Sequence, residues 1–359
     1  MQAFFCILKK IFVPIDIIVR NIIIYNPDSG KYSKNNRFCQ RVAGMIFDSS
    51  VKNVINSAYE NETDVFLRMT PPCPEELSDD TLKAAVFMPG GFPHKEHPSF
   101  YDIRSLGDEV FRRSLTENNV KRIIVLFAEC ADKAEYGYRE AYGWIGEMRA
   151  EITDFIQVVA FLSPSFDSVE VCARLFGCSD PICVGEKTIQ EAAVLCTASP
   201  KSKFYQTALL AEKYAFKKTA VYFNSREEAR SFSRFLEGRG TRCVYADGSL
   251  SAEELKTCML KFSGGEVNIL VATKACIPCA YFYPSEKVIF CGVPFSPSHL
   301  ARCSAFLKDE KPFVVYCEDD IKRNKKIIAS FSEKLSDGEI SQQRNARLEE
   351  MLKMLNSEA

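Results

Sequence analysis

Gly30 and Lys31 stand together inside NPDSGKYSKN (26–35), directly after the apolar run IIIY (22–25). A loop that leaves a strand and opens a helix binds phosphate when three features meet. Glycines let backbone N–H groups approach, a Lys reaches the outer phosphates, and a Ser or Thr hydroxyl ligates magnesium. Tyr32 stands where that hydroxyl belongs, and a plain surface turn would carry the same residues. Asn224-Ser225-Arg226 is a second constellation. It can offer a helix N-terminus, a hydroxyl and a cation to a phosphate, or merely cap a helix. A third is the aromatic series Tyr136, Tyr138, Tyr142 and Trp144. Exposed rings stack on bases for about 1–3 kcal/mol each; an amphipathic helix with aromatic core residues has the same spacing. Cys276 and Cys279 form a lone CxxC. With no second pair and only His94, His97 and His299 to assist, no zinc or other metal site is expected.

Elements must hold these residues in place. Short runs rich in Val and Ile fit strands buried on both faces. They are IIIY (22–25), AGMIF (43–47), AAVFM (84–88), RIIVLF (122–127), QVVAFL (157–162), TAVYF (219–223), RCVYA (242–246), VNILVAT (267–273), KVIFC (287–291) and FVVYC (313–317). Helical stretches lie between them, such as 224–239, opened by Asn and Ser and closed near Gly238 and Gly240. Strand–helix alternation predicts parallel sheets of the α/β class. Two such sheets fit, in domains over 1–186 and 203–310, with 187–202 as a linker. The charged residues from 311 to 359 read as a helical hairpin turning at SDGE (336–339).

At 359 residues, 47% hydrophobic and 26% charged, the chain can build a sizeable core. A net charge of −1 excludes a global basic field, so any nucleic-acid contact must be a local patch. The 15 cysteines are scattered, as small buried hydrophobes are, and no secretory signal with a clear cleavage site precedes them. A reducing intracellular setting is expected. Lys9, Lys10, Asp16 and Arg20 interrupt the apolar N-terminus before a membrane-spanning length accumulates.

Several segments, in order, resemble a RecQ-type ATP-dependent DNA helicase of superfamily 2. The strongest is KTAVYFNSREEARSFSRFLEGRGTRCVYADGSLSAEELKTCMLKFSGGEVNILVATKA (218–275), which reads along its length like the second RecA-like domain of that family. VLFAECADKAEYGYREAYGW (125–144) is similar to the family's Asp-Glu quartet and aromatic-rich loop, with Ala128 in the Asp position and Glu129 in the Glu position. FLSPSFDSVEVCARLFGCSDPICVGE (161–186) resembles the family's Thr-Ala-Thr motif together with its next helix and strand, Ser163 and Ser165 standing near the hydroxyl positions. KVIFCGVPFSPSHLARCSAFLKDEKP (287–312) occupies the place of the last motif. There Arg302 falls at the Gln position, and Phe306 and Asp309 where two arginines act. The tail resembles the hairpin that opens the family's zinc-binding region.

The resemblance implies two tandem RecA-like parallel-sheet domains followed by the hairpin. Gly30 and Lys31 would bind nucleotide and Glu129 would be a catalytic remnant. Asn224, Ser225, Arg226, Tyr142, Trp144 and Thr273 would face nucleic acid. Asp28, Tyr32, Ala128, Phe306 and Asp309 replace what magnesium binding and an arginine finger require, a finger being worth about 10³–10⁵ in rate. The expectation is a RecQ-like homologue with degraded ATPase motifs that binds single-stranded DNA weakly, or a protein partner. ATP and magnesium would serve only if activity remains. The family resemblance also implies the nucleus or another intracellular compartment. A working 3′–5′ DNA helicase and a protein scaffold with no nucleic-acid role stay open as alternatives.

Overall fold

The runs of Val, Ile and Phe close into two separate parallel sheets. The computed structural model describes residues 51–68, 84–89, 100–135, 137, 139–152, 154–307, 310–335 and 337–358. A helix, α1 (51–60), leads into β1 (Val65–Arg68), β2 (Ala84–Met88) and β3 (Phe100–Asp102). Then come α2 (Glu109–Glu117), β4 (Arg122–Val125), α3 (Trp144–Glu151), β5 (Gln157–Leu162), α4 (Val169–Leu175) and β6 (Ile182–Val184). The first sheet has the order β3-β2-β4-β5-β1-β6, every neighbour parallel. Its central strands are buried on both faces, whereas Ile182 and Cys183 on edge strand β6 are exposed.

The second half runs β7 (Ala193–Thr197), α5 (Pro200–Lys213), β8 (Thr219–Phe223), α6 (Arg226–Gly238), β9 (Val244–Ala246), α7 (Ala252–Ser263) and β10 (Ile269–Thr273). It continues with α8 (Ile277–Phe282), β11 (Lys287–Cys291), α9 (Pro297–Ser304) and β12 (Phe313–Cys317). These strands give a second six-stranded parallel sheet, β7-β12-β11-β8-β10-β9. Local chemistry sets the helix starts. Ser251 and Glu254 make a reciprocal capping box on α7, and Ser225 and Ser296 accept from backbone N–H groups at the heads of α6 and α9. Gly240, at φ +79°, ends the turn after α6 as only glycine does without strain.

The tail folds into α10 (Glu318–Leu335) and α11 (Gly338–Glu358). Asp337 accepts from the N–H groups of Glu339 and Ile340, which explains why SDGE turns the chain there. No helix among the described residues is long and apolar enough to cross a membrane.

The fold departs from the sequence expectations in particular places. The stretch read as a linker, 187–202, contains edge strand β7 and the start of α5, and Thr188 is bonded to both Pro164 and Ser165. The second sheet extends past 310 to take in β12. RIIVLF stops being a strand at Val125 because Phe127 is left-handed, at φ 55°. Strands β1 and β3 have no counterpart among the candidate runs, whereas β6 stands where the resemblance of 161–186 implies a strand. The candidate strands at 22–25 and 43–47 lie outside the described residues.

Candidate functional site

Strand order locates the crevice of the first sheet. From β1 the chain goes to β2, on one side; from β5 it goes to β6, on the other. The connections diverge between β5 and β1, and ligands of open parallel sheets bind at the carboxyl ends of strands at such a point. The residues that follow β1 in the sequence, MTPPCPEELSDDTLK (69–83), lie outside the described residues. They hold three prolines, no glycine, four carboxylates and no lysine before Lys83. The Gly30–Lys31 pair, with Asp28 and Tyr32, lies outside the described residues.

The segment after β4 supplies the polar side chains. The left-handed turn at Phe127 leads into a short 3-10 helix over Ala128–Ala131, which buries Glu129 completely. One carboxylate oxygen of Glu129 faces the Arg302 guanidinium at 3.5 Å; the other accepts the Ser163 backbone N–H at 3.2 Å. Burial pushes the Glu129 carboxyl up, and Arg302 works against that shift. Arg302, on α9, also donates to Glu135 at 3.2 Å. Glu135 accepts from the Ser296 hydroxyl at 2.9 Å and from Arg347 of α11 at 3.4 Å. A Cβ on Gly137 would stand 2.8 Å from the Cys130 sulfur and 3.2 Å from the Arg302 guanidinium, so a glycine there lets the segment pass.

Beside this network a cavity of about 500 Å³ opens between the two sheets. Phe127, Cys130 and Arg139 line it from the first half; Asp247, Lys274 and Arg302 line it from the second. Burial, then the charges of Arg302 and Arg139, hold the Lys274 ammonium well below its ordinary range. Burial raises the Cys130 thiol to about 11, so it is not a thiolate nucleophile. Asp247 accepts from Ser249 and Tyr245, and Arg104 on the rim pairs with Asp102 at 2.5 Å. On one flank the halves meet through rings: Phe100 lies 5.9 Å from Tyr281 and 5.4 Å from Phe282.

The expected nucleic-acid residues fare unequally. Tyr142 cannot stack on a base: its ring has no exposed surface and its hydroxyl faces the Leu126 and Phe127 carbonyls. Trp144 is half-buried with its ring against Gly107. Tyr136 and Tyr138 lie outside the described residues. Thr273 is buried as the cap of the short 3-10 turn after β10. Asn224 donates to the Val293 carbonyl at 2.8 Å and to Asn324 at 3.1 Å, tying β8 to the hairpin. Ser225 caps α6, and Arg226 beside it is exposed. Phe306 packs edge-on to Tyr281, and Asp309 is outside the described residues.

The loops after Phe127 and Thr273 do share one cavity, as strand order requires. Glu135, Lys274 and Arg347 carry much of the site yet attract no attention in the sequence. The one usable signal is the position of Lys274 at a strand's carboxyl end. Among the described residues no three His, Cys, Asp or Glu side chains are placed to hold a metal.

Residues 201–303 match the family described as the helicase conserved C-terminal domain. No curated protein matches the chain in sequence. Among solved structures, Mss116p bound to ssRNA and AMP-PNP superposes with a TM-score of 0.51 at 13% identity, over 76% of this chain and 64% of that one. The present chain thus spans under two thirds of that Mss116p chain. A variant of S. cerevisiae Dbp5 bound to RNA and ADP BeF3 gives a TM-score of 0.50 at 11% identity, over 82% of each chain. At such identities the likeness is one of fold. The chain therefore has the tandem RecA-like architecture, and its residues 201–303 match the helicase conserved C-terminal domain.

Proposed function

We propose that this is a helicase-fold protein that has lost ATP hydrolysis and holds single-stranded nucleic acid weakly in the cleft between its sheets. One observation carries the first part: both oxygens of Glu129 are engaged, by Arg302 and by the Ser163 N–H, in a place with no solvent. A carboxylate that polarises an attacking water must meet that water, and Glu129 has no exposed surface. Ala128, one residue earlier, has no atom with which to ligate magnesium.

ATP with magnesium fits these residues poorly. In the sequence, the stretch that follows Arg68 combines Pro71, Pro72 and Pro74, which have no N–H, with Glu75, Glu76, Asp79 and Asp80. A polyphosphate needs the reverse, backbone donors and a lysine.

The nucleic-acid part rests on the arginines that line the cavity, Arg139 and, on the rim, Arg104. Mss116p and Dbp5, which share the fold, carry ssRNA and RNA in those structures. The RecQ subtype, and the nuclear location that goes with it, rests on sequence motifs alone. The burial of Tyr142 and the net charge of −1 favour a second reading, a scaffold for a protein partner.

Fluorescence anisotropy at low ionic strength, with labelled single-stranded DNA and RNA, separates the two. Binding that falls steeply with salt and weakens in Arg139→Ala supports the proposal. No binding of either oligonucleotide at low salt removes it and leaves the scaffold. In parallel, turnover stimulated by oligonucleotide and abolished by Lys31→Ala would show that hydrolysis survives.

A further inference from the structure

We infer that the C-terminal hairpin, α10 and α11, is a strap that holds the two sheets in one closed arrangement before any ligand arrives, with Glu135 as the shared anchor. This role is independent of what the cleft binds.

The hairpin is rooted in the second half. Asp320 pairs with fully buried Lys203 at 2.5 Å and accepts the Cys317 N–H at 2.9 Å, while Asn324 donates to the Val293 carbonyl at 2.7 Å. Its second helix then reaches across to the first half. Arg347 pairs with Asp132 at 2.7 Å and with Glu135 at 3.4 Å. Arg344 donates to the Lys133 carbonyl at 2.8 Å. Glu350 meets Lys187 at 3.2 Å, in the stretch that joins the halves.

Glu135 is where the ties meet. One of its oxygens accepts from Ser296 and Arg302 of the second half; the other faces Arg347 of the strap. The site has no exposed surface at Glu135 and little at Arg302, so water cannot replace these partners while the halves stay together. Opening the cleft would strand Glu129 and Glu135 without Arg302. Opening would break the Arg302 contacts to both carboxylates and the Ser296 bond to Glu135 in one step. Apolar packing acts in the same direction. Leu348, Met351 and Leu355 of α11 have no exposed surface and belong to one apolar cluster that includes strands of both sheets. A helicase cycle needs two arrangements of its domains; this molecule is wired for one.

The test is small-angle X-ray scattering and amide hydrogen exchange on the full chain, comparing wild type, Arg347→Ala and Arg347→Lys. Wild type should scatter as the closed form with no ligand, and adding ATP, magnesium and a single-stranded oligonucleotide should not compact it. In Arg347→Ala the radius of gyration should rise, and exchange over 128–135 and 297–304 should quicken about tenfold or more. Strand β10 should keep its protection, showing that the domains themselves remain folded. If Arg347→Ala is insoluble, Arg347→Lys, which keeps the charge and loses the two-pronged contact, should show the same changes in weaker form. Wild type that is open until ligand is added would overturn the inference. So would a soluble Arg347 variant with wild-type scattering and with faster exchange confined to α11.

Discussion

At the crevice end of the first sheet, polar side chains reach into the other half of the molecule; at the crevice end of the second, most turn back into their own domain or its hairpin. Glu129 and Glu135 meet Arg302, and Glu135 also meets Ser296. By contrast Asn224 bonds Val293 and Asn324, Ser225 caps its own helix, and Asp247 is satisfied by Ser249 and Tyr245. Arg302 is the main exception, and it is what the first half's carboxylates bind. The carboxylates that follow β4 here fasten one half of the molecule to the other. The strand-end groups of the second sheet instead keep that domain's shape, the same region that matches the helicase C-terminal family.

Removing the fastener should have the largest effect. Arg302→Ala leaves Glu129 and Glu135 buried without their partner, so denaturant unfolding should report a loss of about 3–5 kcal/mol. Adding Glu129→Gln to that variant should recover part of the loss, since one orphaned charge is then gone. A loss within a few tenths of a kcal/mol would mean that the pair does not hold the halves. On the other side of the comparison, Asn224→Ala removes two hydrogen bonds inside the second half and should cost about 1–3 kcal/mol. Its scattering profile should match wild type, because no contact between the sheets is touched.

The contrast also appears in pH dependence. Burial raises the folded-state pKa of Glu129 above its unfolded value, with Arg302 and Glu135 as the charged groups facing it. A raised carboxyl pKa contributes stability that is present below the ordinary value of 4.5 and is lost as pH rises through the folded value. Glu129→Gln abolishes that term and keeps an acceptor for the Ser163 N–H. As pH rises above 4.5 the variant should therefore gain stability relative to wild type. A constant difference above that pH would contradict the assignment. The smallest effect is expected at the surface: Arg226→Ala should weaken oligonucleotide binding by about twofold to fivefold at low salt, as loss of one phosphate contact does.

The central strands were legible for a plain reason. TAVYF, QVVAFL and KVIFC are buried on both faces, and burial leaves a continuous apolar run. Two of the edge strands leave none. In β6, Ile182 and Cys183 face outward, and in β7 Leu195 and Cys196 do, so AVLCT passes for linker. Strand β1 has only four residues, yet it occupies the place beside β5 where the crevice forms. The site was less legible, because its pairs are distant. Glu129 and Arg302 are 173 residues apart, and Glu135 and Arg347 are 212 apart, separations that no local spacing reveals. Tyr142 shows the opposite difficulty. An aromatic series at helical spacing serves equally as core or as stacking platform, and only packing decides between them.

The central claim is that the fold persists without hydrolysis. ATP turnover by the full chain, at saturating single-stranded oligonucleotide and with magnesium, tests it most directly. The account predicts no release of phosphate above that of a boiled sample, in wild type and in Glu129→Gln alike. Oligonucleotide-stimulated turnover in wild type that disappears in Glu129→Gln would show that this carboxylate still polarises water, and would contradict the account.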